Sequence, residues 1–119
     1  MSTEQFPDDE IDGRSRIIIY IWSAFLETSA GPQLVDRVTG LMRKTIARLD
    51  GFVEGAVFES DDGKGVTAIV RWKTRHAWAQ AEWEFEVNKL KADLAQAGIR
   101  TTEGMYYEHA RVAPNPAGA

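Results

Sequence analysis

The chain has 119 residues, of which 44% are apolar and 27% are charged, and these values predict one domain with a substantial core. It contains no cysteine, which excludes a disulfide framework, a thiolate nucleophile and a cysteine-ligated metal site. No apolar run is long enough to span a membrane, and the acidic N-terminus is unlike a secretory signal. We therefore expect a cytoplasmic protein that has no membrane partner.

The negative charge lies at the N-terminus. Five acidic residues and one arginine give residues 1–15 a net charge of −4, which equals the charge of the whole chain, so the remainder is neutral. A neutral domain without a basic stripe argues against a nucleic-acid partner. We predict a disordered acidic tail over residues 1–15, a domain over residues 16–112 and a flexible, proline-containing tail over residues 113–119.

The first strand is predicted over residues 16–25, RIIIYIWSAF, because β-branched and aromatic residues dominate it. Alternation places Ile17, Ile19, Ile21 and Phe25 on one face, and Ile18, Tyr20 and Trp22 on the other. A strand that is apolar on both faces has to be covered on both faces. The chain's own helices can cover one face, and a second subunit is the simplest cover for the other.

A first helix, a hairpin and a second helix follow. Apolar residues at helical spacing predict an amphipathic helix of about four to five turns before Gly51, which we expect to stop it. Residues 52–60 and 65–72 read as two strands, since the sequence DDGK between them is a strong turn signal. Glu54 and Arg71 are expected to pair across this hairpin.

The second helix is predicted as one continuous element, which Thr74 caps and Gly98 ends. Its expected core-facing positions form two neighbouring stripes: Trp83, Val87, Leu90, Leu94 and Ala97, beside Trp78, Ala81 and Phe85. The last strand is predicted over residues 100–112. The order βαββαβ indicates an α+β, ferredoxin-like fold, in which a four-stranded antiparallel sheet carries two helices on one face.

These elements resemble a known family. The amphipathic helix, the sequence LDGF at residues 49–52, the hairpin and the sequence RWKTRHAW at residues 71–78 are similar to the antibiotic biosynthesis monooxygenase superfamily of dimeric α/β barrels. The resemblance covers about residues 16–112, and its most specific part is Trp72 at the end of the third strand. It implies a homodimer that forms through the sheet face and a pocket between sheet and helices in each subunit.

The superfamily includes cofactor-independent monooxygenases that act on polycyclic phenols and enzymes that degrade haem. The haem-degrading branch combines an Asn late in the first strand with the Trp and a later His. Here Ser23 or Ala24 lies near the position of that Asn, and no His follows Trp72 at the required distance. The quinone-forming branch uses Asn, Trp and Tyr, of which only the Trp is matched clearly. We therefore expect no cofactor, and argue against haem degradation.

Four residues are candidate substrate contacts: Trp72, Ser23, Trp22 and Tyr107. Trp72 could stack on a flat ligand or donate its indole N–H, but it could also only fill the core. The candidate bases are His76, at the start of the second helix, and His109, on the last strand. The alternative is a surface role for His76 and a dimer contact for His109. With only these two histidines in the chain, we expect no metal site.

Two functions remain open from the sequence. The first is a cofactor-independent monooxygenase that acts on an aromatic or polyketide-like small molecule, with the protein supplying a dry pocket, a base and orientation. The second is a non-catalytic protein that uses the same dimeric barrel to bind a small molecule or a partner. A pocket of several hundred Å³ would favour ligand binding, on the order of typical ligand sites, and a filled core would favour a structural role.

Overall fold

The computed structural model describes residues 10–11, 14–28 and 31–115. Its elements, in chain order, are β1 (Glu10–Ile11), β2 (Arg14–Ser15), β3 (Ile18–Phe25), α1 (Gly31–Lys44), a 3-10 turn (Ile46–Arg48), β4 (Phe52–Glu59), β5 (Gly65–Trp72), α2 (Arg75–Ala81), α3 (Phe85–Gln96) and β6 (Arg100–Tyr107). Apart from the short ladder of β1 and β2, the strands form one sheet in the order β4-β5-β3-β6, with every neighbour antiparallel. The predicted ferredoxin-like α+β fold is confirmed.

The core lies between one face of the sheet and the helices. Alternate residues of β3 and β5 point into it, beginning with Ile18 opposite Trp72, and all of these are buried except Tyr20, which is partly buried. The helices contribute the remaining core residues, which include Leu34, Val38 and Met42 from α1, Ala77 and Ala81 from α2, and Leu90 and Leu94 from α3. The inward-facing residues of the strands, which recur every two positions, therefore pack against the apolar faces of α1 and α3 in one layer.

The opposite face of the sheet is apolar but only partly buried. It carries Ile19, Ile21 and Ile69 at half-buried positions, while Phe25, Phe58 and Tyr106 keep 40%, 51% and 57% of their surface exposed. The alternation predicted for the first strand is thus correct. An apolar surface of this kind is typical of an interaction site.

Charged residues cluster at one end of this open face. The predicted pairing of Glu54 with Arg71 is confirmed, with Arg71 Nε 3.2 Å from Glu54 Oε2. Arg71 also pairs with Glu108, just beyond the last strand, and Arg111 lies 3.6 Å from Glu54 and 3.4 Å from Glu108. Because the side chain of Arg71 is only 16% exposed, these carboxylates compensate a largely buried cation.

Several predicted boundaries differ from the structure. The last strand ends at Tyr107 rather than at residue 112, because Tyr107 pairs with Ile18, the first residue of β3, and nothing in β3 lies opposite the residues that follow. The first helix ends at Lys44 and gives way to the 3-10 turn. Gly51 does adopt a positive φ of 86°, but it leads into β4 instead of stopping α1.

The second helix is broken, and the prediction of one continuous helix is wrong. Residues 82–84 separate α2 from α3, and Glu84 has an extended backbone with ψ of 133°. The side-chain amide of Asn88 donates to the carbonyls of Glu82 and Glu84 at 2.9 and 3.1 Å. It thus gives the Glu82 carbonyl a donor at the break, while the Glu84 carbonyl also accepts the backbone N–H of Asn88 at 3.1 Å. The break also moves Trp83 and Phe85 out of the predicted core stripes, leaving them 84% and 71% exposed.

The local signals of the hairpin and of the helix ends are confirmed. Gly63 takes φ of 73° in the turn, where the Asp62 carboxylate accepts hydrogen bonds from the Ser60 hydroxyl and the Lys64 N–H. These hydrogen bonds hold the pKa of Asp62 below its usual value. Thr74 Oγ1 accepts the N–H of Ala77 and caps α2, and Gly98 ends α3 at φ of 75°.

The termini are described only in part. Glu10–Ile11 pairs with Arg14–Ser15, while residues 1–9, which belong to the predicted tail, lie outside the described residues. Residues 113–115 have no regular structure. The two tails therefore stay predictions. Within the described part of the chain, no helix combines the length and apolar character that crossing a bilayer requires.

Candidate functional site

A small apolar cavity lies between the sheet and the helices, with a volume of about 60 Å³. Strands β3 and β5 form its floor, α1 and the 3-10 turn form one wall, and α2 and α3 form the other. Its lining residues are Tyr20, Trp22, Val38, Leu41, Met42, Ile46, Ala68, Val70, Trp72, Trp78, Ala81, Glu82, Val87, Leu90 and Lys91. This volume has room for a few water molecules, and a larger ligand requires a wall to move.

Two of the residues that line this cavity are tryptophans with buried indole N–H groups. The Nε1 atoms of Trp72 and Trp78 are both buried, and neither has a hydrogen-bond partner among the described residues. Trp72 is 1% exposed and packs edge-on against Phe52, with ring centroids 5.9 Å apart. A buried N–H that lacks an acceptor costs about 1–3 kcal/mol. Two such donors beside one cavity are suited to a ligand that carries acceptor oxygens.

The ionisable side chains around the cavity form two pairs. Glu82, at the break after α2, accepts hydrogen bonds from Lys91 of α3 at 3.1 and 3.3 Å. Tyr20 stacks obliquely on Trp78, with centroids 6.0 Å apart, and its hydroxyl donates to Glu103 Oε1 at 2.5 Å. Burial raises the pKa of Tyr20 well above its ordinary value, and the hydrogen bond to Glu103 and the negative charges of Glu103 and Glu82 raise it further.

Solved structures share this architecture across most of the chain. No sequence-family profile matches the protein, and no curated protein does so at a significant level. The cofactor-independent oxygenase SnoaB from Streptomyces nogalater superposes with a TM-score of 0.67 at 17% identity, over 83% of this chain and 98% of that protein. The fold is that of the antibiotic biosynthesis monooxygenases.

Two further solved structures have the same fold. A monooxygenase from the gene ActVA-Orf6 of Streptomyces coelicolor, in complex with nanaomycin D, gives a TM-score of 0.59 at 16% identity, over 82% of this chain and 92% of that one. A protein from Nitrosomonas europaea, provisionally named an antibiotic biosynthesis monooxygenase, gives a TM-score of 0.69 at 14% identity, over 82% of this chain and 95% of that one. At these identities the likeness establishes the fold, and the reaction has to be argued from the site.

The structure brings only some of the predicted substrate contacts to the cavity. Trp72 and Trp22 line it. Ser23 lies on the other sheet face, where its hydroxyl is 2.8 Å from that of Thr67, because consecutive strand residues point to opposite sides. Tyr107 does not line the cavity. The guanidinium groups of Arg16 and Arg75 lie 5.5 and 5.9 Å from the centroid of its ring.

Neither predicted base reaches the cavity. His76 is exposed in the first turn of α2, and its Nε2 lies 3.4 Å from the side-chain nitrogen of Gln80. His109 is exposed and follows the end of β6, so its predicted position on the last strand is wrong. Among the described residues, no group of three or more His, Cys, Asp or Glu side chains could hold a metal ion.

The cavity also includes residues that were not predicted as site residues. Tyr20 shares the strand face of Trp22, so alternation could have placed it at the site. Trp78 was assigned to the core stripe of the second helix, and its unpaired N–H becomes visible only in the folded chain. Glu82 and Lys91 are brought together across the helix break, which no sequence signal marks.

Proposed function

We propose that the protein is a cofactor-independent monooxygenase that oxygenates an aromatic or polyketide-like small molecule in the cavity between sheet and helices. The observation that carries this proposal is the pair of unpartnered indole donors, Trp72 and Trp78, in an otherwise apolar cavity. The carbonyl or phenolic oxygen of a flat ligand would accept these hydrogen bonds, while its rings would contact the apolar wall. The nanaomycin D complex of a structure with the same fold supports this ligand class.

The reaction class follows from what such a ligand can do by itself. An activated methylene between aromatic rings loses a proton readily, and the resulting carbanion can reduce dioxygen. In the complete reaction the methylene becomes a carbonyl, one oxygen atom enters the product and the other leaves as water. The protein then has to exclude bulk water, orient the ligand and accept a proton. The apolar cavity meets the first of these needs, and the indole N–H groups meet the second.

Ligand entry requires the cavity to widen. Its volume of about 60 Å³ is well below the roughly 300–1,000 Å³ of ordinary ligand sites. The wall at residues 82–84 is the part best placed to move, because the backbone leaves the helix there. The Glu82–Lys91 ion pair and the side-chain and backbone N–H groups of Asn88 connect it to α3. Wider spacing between α2 and α3 would open the cavity without disturbing the sheet.

A direct test is to mix the purified protein with 1,8-dihydroxyanthrone in air, in the presence of a chelator and without added cofactor. We expect the corresponding quinone to form with one dioxygen consumed for each product molecule, faster than in buffer or with heat-denatured protein. A rate equal to these two blanks would refute the enzymatic proposal. Fluorescence quenching of the tryptophans measures binding of the same compound independently of turnover.

A second candidate is a non-catalytic protein that binds a small molecule or a partner through the same fold. The small volume of the cavity, and the position of both histidines outside it, favour this alternative. It predicts binding of the anthrone without acceleration of its oxidation.

The assembly proposed for either function is a homodimer through the open sheet face. The exposed Phe25, Phe58 and Tyr106, beside the half-buried isoleucines of the same face, support this arrangement. Burying them against a second copy would remove apolar surface from water at about 25 cal/mol per Å². A cytoplasmic location is part of the same proposal.

A further inference from the structure

Oxygenation of a carbon acid begins with removal of a proton, so the site needs a proton acceptor. Both histidines are exposed and neither lines the cavity. Only three ionisable side chains do so among the described residues: Tyr20, Glu82 and Lys91. The proton acceptor is therefore one of these three side chains or a group that is hydrogen-bonded to one of them.

Glu82 is the weaker candidate. Both of its carboxylate oxygens lie close to Lys91 Nζ, at 3.1 and 3.3 Å. Both oxygens are therefore already engaged as acceptors, and neither is free to face a substrate. Lys91 itself is occupied as the donor in this pair. The Glu82–Lys91 pair accounts better for closing the cavity wall than for taking a proton.

Tyr20 and Glu103 have a different arrangement. Tyr20 lines the cavity, and its hydroxyl donates to a carboxylate on the neighbouring strand β6. The separation of 2.5 Å is at the short end of the range for a hydroxyl bonded to an ionised carboxylate. Glu103 is exposed to solvent, so a proton that reaches it can leave to water. One residue thus both lines the cavity and bonds through its hydroxyl to a solvated carboxylate.

We propose that Tyr20 and Glu103 form the proton acceptor for the bound substrate, an inference that rests on the proposed function. The acidic proton of the substrate moves to the Tyr20 oxygen as the Tyr20 proton moves to the Glu103 carboxylate. The electron pair of the broken bond stays on the substrate as a carbanion or phenolate, and Tyr20 ends the step neutral. Glu103 then releases its proton to water. Tyr20 is the catalytic residue of this step, and Glu103 acts through it.

The surroundings of Tyr20 favour transfer through the hydroxyl over storage of charge on it. Burial and the negative charges of Glu103 and Glu82 raise its pKa, so the phenol stays protonated at neutral pH. The charged groups that act on it are Glu103 from β6 and Glu82 after α2, and Lys91 from α3 lines the same cavity. From β5 and α1 the cavity receives apolar side chains, such as Val70 and Leu41.

The test separates proton removal from oxygenation. Under strictly anaerobic conditions, 1,8-dihydroxyanthrone bound to the protein cannot react with dioxygen, and its deprotonated form is followed by visible absorption in a stopped-flow experiment. We expect Tyr20→Phe and Glu103→Gln to bind the anthrone, as measured by tryptophan quenching, but to form its anion about 100-fold more slowly, the range of a lost general base. Glu59→Gln, which alters an exposed glutamate on the opposite edge strand, should behave like the unmodified protein.

A second variant guards against misfolding as the cause. Glu103→Ala should be rescued in part by added acetate, because Glu103 is solvent-exposed and a free carboxylate can replace it there. If Tyr20→Phe or Glu103→Gln forms the anion at the rate of the unmodified protein, the relay is wrong. The proposed function still holds in that case, provided that the unmodified protein oxidises the anthrone in air. If the unmodified protein fails to bind the anthrone at all, the proposed function fails, and the relay fails with it.

Discussion

Replacing Trp72 by phenylalanine separates a ligand-binding role from a purely packing role. The indole is almost completely buried, borders the cavity and carries an N–H without an acceptor. The change removes two ring carbons, which at about 0.8 kcal/mol per buried carbon group amounts to about 1.6 kcal/mol of lost burial. It also removes the unpaired N–H, whose burial costs about 1–3 kcal/mol. The two terms largely offset, so the free energy of unfolding should change by no more than about 1.5 kcal/mol in either direction.

Ligand binding should respond in the opposite way. Loss of one donor to a bound phenolic or carbonyl oxygen costs about 0.5–1.5 kcal/mol, which corresponds to a Kd about two- to tenfold higher. We would measure urea unfolding and anthrone binding on one preparation at one protein concentration, since subunit association makes stability depend on concentration. Four tryptophans share the fluorescence, so the difference between variants carries the binding result.

Trp83→Phe is the matched control, because this indole is 84% exposed and lies outside the cavity lining. Its unfolding free energy should change by less than about 0.5 kcal/mol, and its ligand affinity should not change. Trp72→Phe could instead lower stability by about 3 kcal/mol or more, in the range of cavity-forming core changes, and leave anthrone binding unaltered. Trp72 would then be a packing residue, and its proposed contact with a ligand would be wrong.

Three other predictions concern the fold and the assembly. Light scattering at micromolar concentration should give about twice the chain mass, and a value near 13.3 kDa would contradict the homodimer. Deleting residues 1–14 should leave the Tm nearly unchanged, whereas a drop of more than about 5 °C would mean that this segment packs on the domain. Gly51→Ala should lower the unfolding free energy by about 2 kcal/mol or more, because a side chain at φ of 86° is strained and its Cβ would lie 2.4 Å from Ala77 Cβ. Gly40→Ala, in the middle of α1 with nothing within 4 Å of the added methyl group, should instead stabilise by about 0.5–1 kcal/mol, and equal effects of the two changes would refute this reasoning.

The alternation of side chains along β3 predicts some of the residues at the cavity but not the contacts between strands. Alternation within β3 is a local property of an extended backbone, so it placed Trp22 and Tyr20 on one face correctly, while the packing of the helices decided that this face is the covered one. The same rule would have removed Ser23, because neighbouring residues of one strand cannot both face the cavity. The bond from Tyr20 to Glu103 joins residues that are 83 positions apart, and it depends on the register of β6 against β3.

The sequence by itself determined the features that local chemistry controls: the order of the elements, the turn at Gly63, the Thr74 cap and the αL stop at Gly98. Each depends on a backbone conformation or a hydrogen bond within a few residues. Only the tertiary structure decided where the second helix breaks, because no Gly or Pro marks the place and the side-chain amide of Asn88 bonds to the Glu82 carbonyl there. It also decided that the cavity stays small and that two indole donors remain unpaired, since both depend on how α1, α2 and α3 pack on the sheet.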